Sequence, residues 1–280
     1  MLVTIDLHVH STASDGTLPP AGVVRAAHAA GVTALALTDH DTTAGVAEAV
    51  AAARETGIQL VPGVELNTDR SRGEVHILGY LIPLEDGAFQ ELLARRRGAR
   101  VRRGEAMVRR LQELGFDITF EHVRRIAGDG AITRPHVARA LMETGGVPSV
   151  AEAFGRYLYT GGPAYVPHEP FTPVDAVQAV LAAGGVPVLA HPGRLEDEAI
   201  IPELVEAGLQ GLECYYPEHS PADTRRFLAL AAKYDLVVTG GTDFHGPGST
   251  GDRAIGSVSA PSSAVDALYE RQTRLARAGS

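Results

Sequence analysis

At 280 residues, 45% of them apolar, with a formal charge of −9, the chain can bury a substantial core and has the composition of a soluble α/β protein. The acidic balance argues against a broad nucleic-acid-coating surface, and no run approaches the ~20 apolar residues of a membrane span. The one cysteine, Cys214, cannot form an internal disulfide, and Met1-Leu2 leads into an apolar run with no basic leader, so a reducing, cytoplasmic setting is expected.

Short β-branched and apolar runs that end in turn chemistry predict seven strands. The first, Val3 to His10, closes on His8-Val9-His10. In a strand, residues i and i+2 share a side, so two imidazoles at that spacing can hold one divalent metal, with Asp15 joining from the loop. With 11 histidines in 280 residues, chance supplies an H-x-H in roughly every second such chain, so the motif needs partners. The second run, Ala34 to His40, ends in Thr38-Asp39-His40, and the third, Gln59 to Leu66, contains Gly63-Val64-Glu65. The fourth, Val75 to Ile82, carries His76 near its start, which requires a bend or a different crossing geometry. The fifth, Val186 to His191, ends in a histidine, the sixth is Gly211 to Tyr216, and the seventh, Val237 to Asp243, runs into Phe244-His245. Helical stretches at Pro19–Ala30, Thr42–Thr56, Pro173–Ala183 and Asp223–Tyr234 lie between them. Such alternation predicts a parallel sheet whose carboxyl ends share one face, and most of the metal-binding residue types fall at those ends.

Between the fourth and fifth strands the pattern turns helical: Phe89 to Leu114, Phe120 to Ala127, Pro135 to Thr144 and Val150 to Leu158, with Gly-rich breaks. Residues 87–165 read as an inserted small all-helical domain, flanked by residues 1–86 and 166–280. Ten arginines (95, 96, 97, 100, 102, 103, 109, 110, 124 and 125) crowd this segment. They make either a solvated helix face or an electrostatic lip that draws a polyanion inward. Arg134 next to Pro135 suggests a phosphate-attracting helix start, with a capping or salt-bridged arginine as the plain alternative. His28, His122 and His219 lie on or beside helices and read as surface or packing residues.

Taken together, His8-Val9-His10, Asp15-Gly16, Thr38-Asp39-His40-Asp41, Gly63-Val64-Glu65, His76-Ile77-Leu78-Gly79-Tyr80, Ala190-His191-Pro192-Gly193 and Thr242-Asp243-Phe244-His245-Gly246 resemble the PHP (polymerase and histidinol phosphatase) family of metallophosphoesterases. The resemblance runs from residue 1 to about 260. It is closest to the branch that hydrolyses nucleoside 3',5'-bisphosphates and trims the 5' ends of short RNAs. It implies a distorted (β/α)7 barrel, TIM-barrel-like, with two or three divalent metals at the carboxyl face. His8, His10, Glu65 and Asp243 would hold the first metal. Glu65 would bridge to a second, held also by His76 and His191, and Asp15, His40 and His245 would hold a third. Asp39 and Asp41 would orient ligands. A mixed imidazole and carboxylate set favours Mn²⁺, with Fe²⁺ or Zn²⁺ as the other candidates, over Mg²⁺ or Ca²⁺.

The implied reaction is attack by a metal-bridging hydroxide on a phosphate monoester, foremost the 3'-phosphate of a nucleoside 3',5'-bisphosphate. The partner is then a phosphorylated small molecule, a nucleotide first of all, or a short single-stranded RNA. No membrane and no protein partner is implied. Arg134, His136, Tyr165, His168 and Arg194 are the candidate substrate contacts. Relatives often carry Gly-Lys-Pro where this chain has Gly161-Gly162-Pro163, so a cation for a second phosphate has to come from elsewhere. The competing expectations are a histidinol-phosphate-type phosphatase, for which an arginine-rich insertion is a poor match, and a catalytically silent metal-binding scaffold. An amidohydrolase with a bridging lysine is disfavoured, because Lys233, in a helix, is the only lysine.

Overall fold

The computed structural model describes residues 3–69, 74–128, 132–167, 170–248 and 253–278. The chain divides into two compact units, residues 1–91 with 170–280, and residues 92–169. The first unit is built on one seven-stranded sheet in sequence order: β1 (Thr4–Val9), β2 (Val32–Leu37), β3 (Gln59–Asp69), β4 (Glu74–Tyr80), β5 (Val186–Leu189), β6 (Gly211–Tyr215) and β7 (Val237–Gly240). The helices, in chain order, are α1 (Pro20–Ala29), α2 (Val46–Thr56), α3 (Gly87–Glu113), α4 (Phe120–Ala127), α5 (Arg134–Glu143), α6 (Val150–Ala153), α7 (Pro173–Ala182), α8 (Ile200–Glu206), α9 (Pro221–Lys233) and α10 (Ala264–Ala278).

The sheet is mostly parallel, with one exception that matters. β4 runs antiparallel to both β3 and β5. The start of β4 therefore lies beside the carboxyl ends of its neighbours, and His76 pairs with Asn67 near the end of β3. No bend is needed; the reversed strand delivers the histidine. At the other side of the sheet the chain after β7 bonds to β1: the Asp243 N–H donates to the His8 carbonyl and the His10 N–H to that of Phe244, both at 2.8 Å.

Local chemistry explains most boundaries. Thr172 and Ser220 accept from the backbone N–H of Asp175 and Asp223, whose carboxylates reach back, closing capping boxes ahead of α7 and α9. Each of these helices also has proline at its start, where a missing N–H costs nothing. α2 stops at Gly57, whose φ of 79° suits glycine. It starts at Val46 rather than Thr42, because the Thr42 hydroxyl accepts from the Ala44 N–H and holds these residues in a turn. α5 starts one residue earlier than expected, at Arg134. α8 and α10 were not expected at all; α10 is largely polar and anchors through Ala264, Val265 and Leu268.

Both faces of the sheet are covered, which is why its strands read as nearly continuous apolar runs. One core gathers Ile5, Leu7, Ala34, Ala36, Val61, Leu78, Val188 and Val237 with the anchor of α10. A second packs Leu35 and Leu37 against Val23, Val24, Ala27, Ala49, Ala52 and Ala53. The small alanines let α1 and α2 lie close to the strands. Residues 92–169 have their own core, around Met107, Leu111, Val123, Val137, Leu141 and Leu158. Among the described residues, no helix is long and apolar enough to cross a membrane.

Candidate metal centre

Glu65 is the hub. Its side chain is 1% exposed. Oε2 lies 3.3 Å from Nε2 of His8, 3.2 Å from Nε2 of His10 and 3.0 Å from Nδ1 of His40. Oε1 lies 2.8 Å from Nδ1 of His76 and 3.2 Å from Nε2 of His191. One carboxylate thus faces two sets of imidazoles, one with each oxygen. Asp243 Oδ1 completes the first set, 3.5 Å from His8 and 3.2 Å from His10. Asp15 lies 3.2 Å from Nε2 of His245, 3.7 Å from Nε2 of His40 and 3.8 Å from Nδ1 of His10.

All nine residues singled out in the sequence as metal candidates meet here, in three overlapping groups. These are His8, His10, Glu65 and Asp243; Glu65, His76 and His191; and Asp15, His40 and His245, to which His10 also belongs. The last membership is new: His10 faces two groups at once.

The donor chemistry fits divalent cations. Nε2 of His8, both ring nitrogens of His10 and Oε2 of Glu65 are buried and make no hydrogen bond, although the two Nε2 atoms lie only 3.3 and 3.2 Å from that oxygen. Orphaned buried polar atoms cost about 1–3 kcal/mol each, and a shared cation satisfies several together. The charge balance agrees. Burial works against a charged His8, but Glu213, Glu65 and Asp243 outweigh it and hold the imidazole well above its usual range. Burial likewise opposes charge on His10, yet Asp243 and Glu65 hold it up to about 10. Burial would raise Glu65 and Asp243, but the surrounding imidazoles keep both well below the ordinary carboxylate range. The cluster calls for positive charge, for which protons and metal ions compete.

The surrounding structure explains how these groups are held. Asp39 accepts from the Ser11 N–H (2.8 Å), the Ser11 hydroxyl (2.7 Å) and the Ser14 hydroxyl (2.6 Å), fixing the loop that presents Asp15. Asp41 has φ of 51° and its N–H donates to the Glu65 carbonyl at 2.9 Å. His191 and Asp243 also have positive φ, 27° and 53°, so three non-glycine residues in a sparsely populated region flank one site. Gly241 permits a close approach of its backbone to β1: a Cβ there would lie 2.5 Å from the His8 backbone nitrogen.

Sequence reasoning missed four supporting residues. Glu213 on β6 is fully buried; its Oε1 accepts from Nδ1 of His8 at 3.0 Å and its Oε2 from the His191 N–H at 2.7 Å. Asp6 accepts from the N–H and hydroxyl of Thr242 and from the Gly256 N–H, tying β1 to the chain beyond β7. Tyr216 and Arg253 donate to Asp243 Oδ2, each at 2.8 Å. Glu213 and Asp6 carried a signal: each is an acid between apolar neighbours in a strand, Leu212 and Cys214 for one, Ile5 and Leu7 for the other.

The substrate candidates fall in different places. Arg194 lies near the metal candidates, NH1 being 3.7 Å from Asp243 Oδ2. Arg134, His136 and Tyr165 belong to the 92–169 unit. There the Arg134 and Arg103 guanidiniums each lie 5.6 Å from the Tyr165 ring centre. Nδ1 of His136 accepts from the Thr133 N–H, so this imidazole helps close the start of α5. His168 lies outside the described residues. In the arginine-rich helix, Arg96, Arg100 and Arg103 are buried, so the run is not simply a solvated face.

A mostly parallel α/β sheet with a buried imidazole and carboxylate cluster at its strand ends has the makings of a multinuclear divalent-metal centre. The PHP domain model matches residues 6–146. The chain is 38% identical over 261 residues to the 3',5'-nucleoside bisphosphate phosphatase of Chromobacterium violaceum, covering 91% of each chain. It is 36% identical over 252 residues to the 5'-3' exoribonuclease Rnm of Escherichia coli, covering 88% of this chain and 86% of that one. A candidate metal-dependent phosphoesterase from Bifidobacterium adolescentis superposes with a TM-score of 0.87 at 32% identity, over 97% of both chains. The chain belongs to the PHP domain family and is a metal-dependent phosphoesterase.

Proposed function

We propose that this phosphoesterase removes the 3'-phosphate of nucleoside 3',5'-bisphosphates and also trims short RNA from the 5' end. The observation that carries the reading is Glu65, whose two oxygens face separate sets of imidazoles, with Asp243 and Asp15 completing the groups. The two relatives whose names specify a bisphosphate phosphatase and a 5'-3' exoribonuclease support the substrate class. The seven strands, joined from β7 back to β1 by the His8–Asp243 and His10–Phe244 backbone bonds, fit a distorted barrel, and residues 87–165 fit a helical insertion within it. The single cysteine, buried and free, is consistent with work in the cytoplasm.

In this scheme His8, His10, Glu65 and Asp243 hold one ion, Glu65, His76 and His191 a second, and Asp15, His40 and His245 a third, with Mn²⁺ favoured over Fe²⁺ and Zn²⁺. When bound, divalent ions here supply Lewis acidity toward phosphate oxygens and a water acidic enough to attack at neutral pH. The protein does the rest. Glu213 accepts a hydrogen bond from Nδ1–H of His8, so that Nε2 faces the cluster. Tyr216 and Arg253 occupy one oxygen of Asp243 and leave the other toward the imidazoles. Arg194 stands at the edge with donors for phosphate oxygen.

The test is hydrolysis by Mn²⁺-loaded protein of matched nucleoside 3',5'-bisphosphate and 3'-monophosphate. A preference for the bisphosphate is expected; equal rates on both would sink the substrate assignment. His8→Ala and Asp243→Ala should each abolish turnover, and unchanged activity in either would refute the site.

A further inference from the structure

An anion position is already marked beside the metal candidates, and a carboxylate of the protein occupies it. Arg194 grips Glu218 with two parallel hydrogen bonds, Nε to Oε2 at 3.0 Å and NH2 to Oε1 at 2.7 Å. Arg253 bonds the same Glu218 Oε1 through NH2, while its NH1 donates to Asp243 Oδ2 at 2.8 Å. The planar Arg253 guanidinium thus spans from a candidate metal ligand to Glu218. The Glu218 carboxylate thus sits one guanidinium's width outward from Asp243, on the far side of Arg253. Both guanidiniums also lean on the Tyr216 ring, at 5.3 and 4.9 Å from its centre, which holds them in register.

The residues differ in how firmly they are held. The Arg253 side chain is 12% exposed and locked to Asp243, whereas those of Arg194 and Glu218 are 42% and 50% exposed. An exposed carboxylate–arginine pair contributes little and is readily exchanged. A phosphate dianion presents the same pair of acceptor oxygens to an arginine fork and carries more charge. A second cation is also required from somewhere other than the 161–163 turn. A Cβ at Gly162 would lie 2.7 Å from the Tyr157 carbonyl oxygen, so that turn has no room for a basic side chain at its centre.

We propose that Arg194 and Arg253 form the receptor for the uncleaved phosphate of the substrate, and that Glu218 is its resident stand-in, displaced when the substrate binds. This rests on the bisphosphate reading above and names the residues that produce the preference. Glu218 limits affinity for the substrate, since its carboxylate must leave the arginines first.

The experiment compares kcat/KM for a nucleoside 3',5'-bisphosphate and the matched 3'-monophosphate in wild type, Arg194→Ala and Glu218→Gln. Loss of a charge-assisted pair predicts that the bisphosphate-to-monophosphate ratio falls about tenfold or more in Arg194→Ala. Glu218→Gln, at a half-exposed position that tolerates substitution, should lower KM for the bisphosphate and raise the ratio. A wild-type ratio near one overturns the bisphosphate reading itself. A wild-type preference that survives intact in Arg194→Ala overturns only the receptor, as does an equal loss on both substrates, which would make Arg194 a partner of the cleaved phosphate. A Glu218→Gln ratio at or below that of wild type overturns the stand-in role.

Discussion

Glu213 offers the sharpest test of how the centre is organised. Its carboxylate joins the imidazole of His8 on β1 to the backbone of His191 after β5, and those histidines belong to different groups of metal candidates. In Glu213→Ala two buried donors, His8 Nδ1–H and the His191 N–H, lose their acceptor. Each such loss costs about 1–3 kcal/mol, so destabilisation of about 2–6 kcal/mol is expected. At the scale of a domain of 150–250 residues this lowers Tm by about 4–24 °C. Freed from the carboxylate, His8 can also turn or place its proton on Nε2, and loss of such outer partners typically weakens metal binding about 10–100-fold. Titration calorimetry with Mn²⁺ on metal-free protein, paired with thermal melts of the same samples, separates the two effects. Glu213→Gln keeps one acceptor oxygen and should fall between alanine and wild type on both scales. If Glu213→Ala melted lower but bound Mn²⁺ within about threefold of wild type, the carboxylate would be a packing element and the tautomer argument would be wrong.

Three further outcomes follow from the geometry. The carboxylates hold His8 above its usual range and His10 up to about 10, so protons occupy the positions that metal requires. Binding must expel them, and apparent Mn²⁺ affinity should therefore rise between pH 6.5 and 8; calorimetric affinities that stay flat would contradict this. Asp39→Ala removes three hydrogen bonds from the Ser11–Ser14 loop and should lower the metal-to-protein ratio, read by elemental analysis, by loosening Asp15 while His8, His10, Glu65 and Asp243 stay in place. An unchanged ratio would show that the loop holds Asp15 without Asp39. Gly241→Ala puts a methyl group against the backbone of His8 and should cost about 3 kcal/mol or more, seen as a lower urea midpoint at unchanged slope; a wild-type midpoint would mean that β1 can shift freely.

The metal candidates were legible in the sequence because their signal is local. An H-x-H at a strand end, or a histidine ahead of Pro192, identifies itself through residue type and the adjacent turn. Glu65 and Asp243 gained meaning from the same rule. The direction of β4 was not legible, since apolar alternation is the same read either way, and only the close spacing of β3 and β4 hinted at a hairpin. The supporting residues were harder still, for a reason that is physical. His8 and Glu213 are 205 positions apart, and Tyr216 reaches Asp243 across 27. A lone acid in an apolar strand announces that burial must be compensated without saying by what. Glu213 and Asp6 fit that description, and in each case the compensation is a donor attached to the site: an imidazole and an N–H for one, the Thr242 N–H and hydroxyl for the other. An unexplained buried carboxylate in a strand of a protein whose strand ends carry metal ligands is therefore best read as a clamp on those ligands. The same logic separates Arg253 from Arg194: the less exposed one is tied to Asp243, and the more exposed one remains available to exchange its partner.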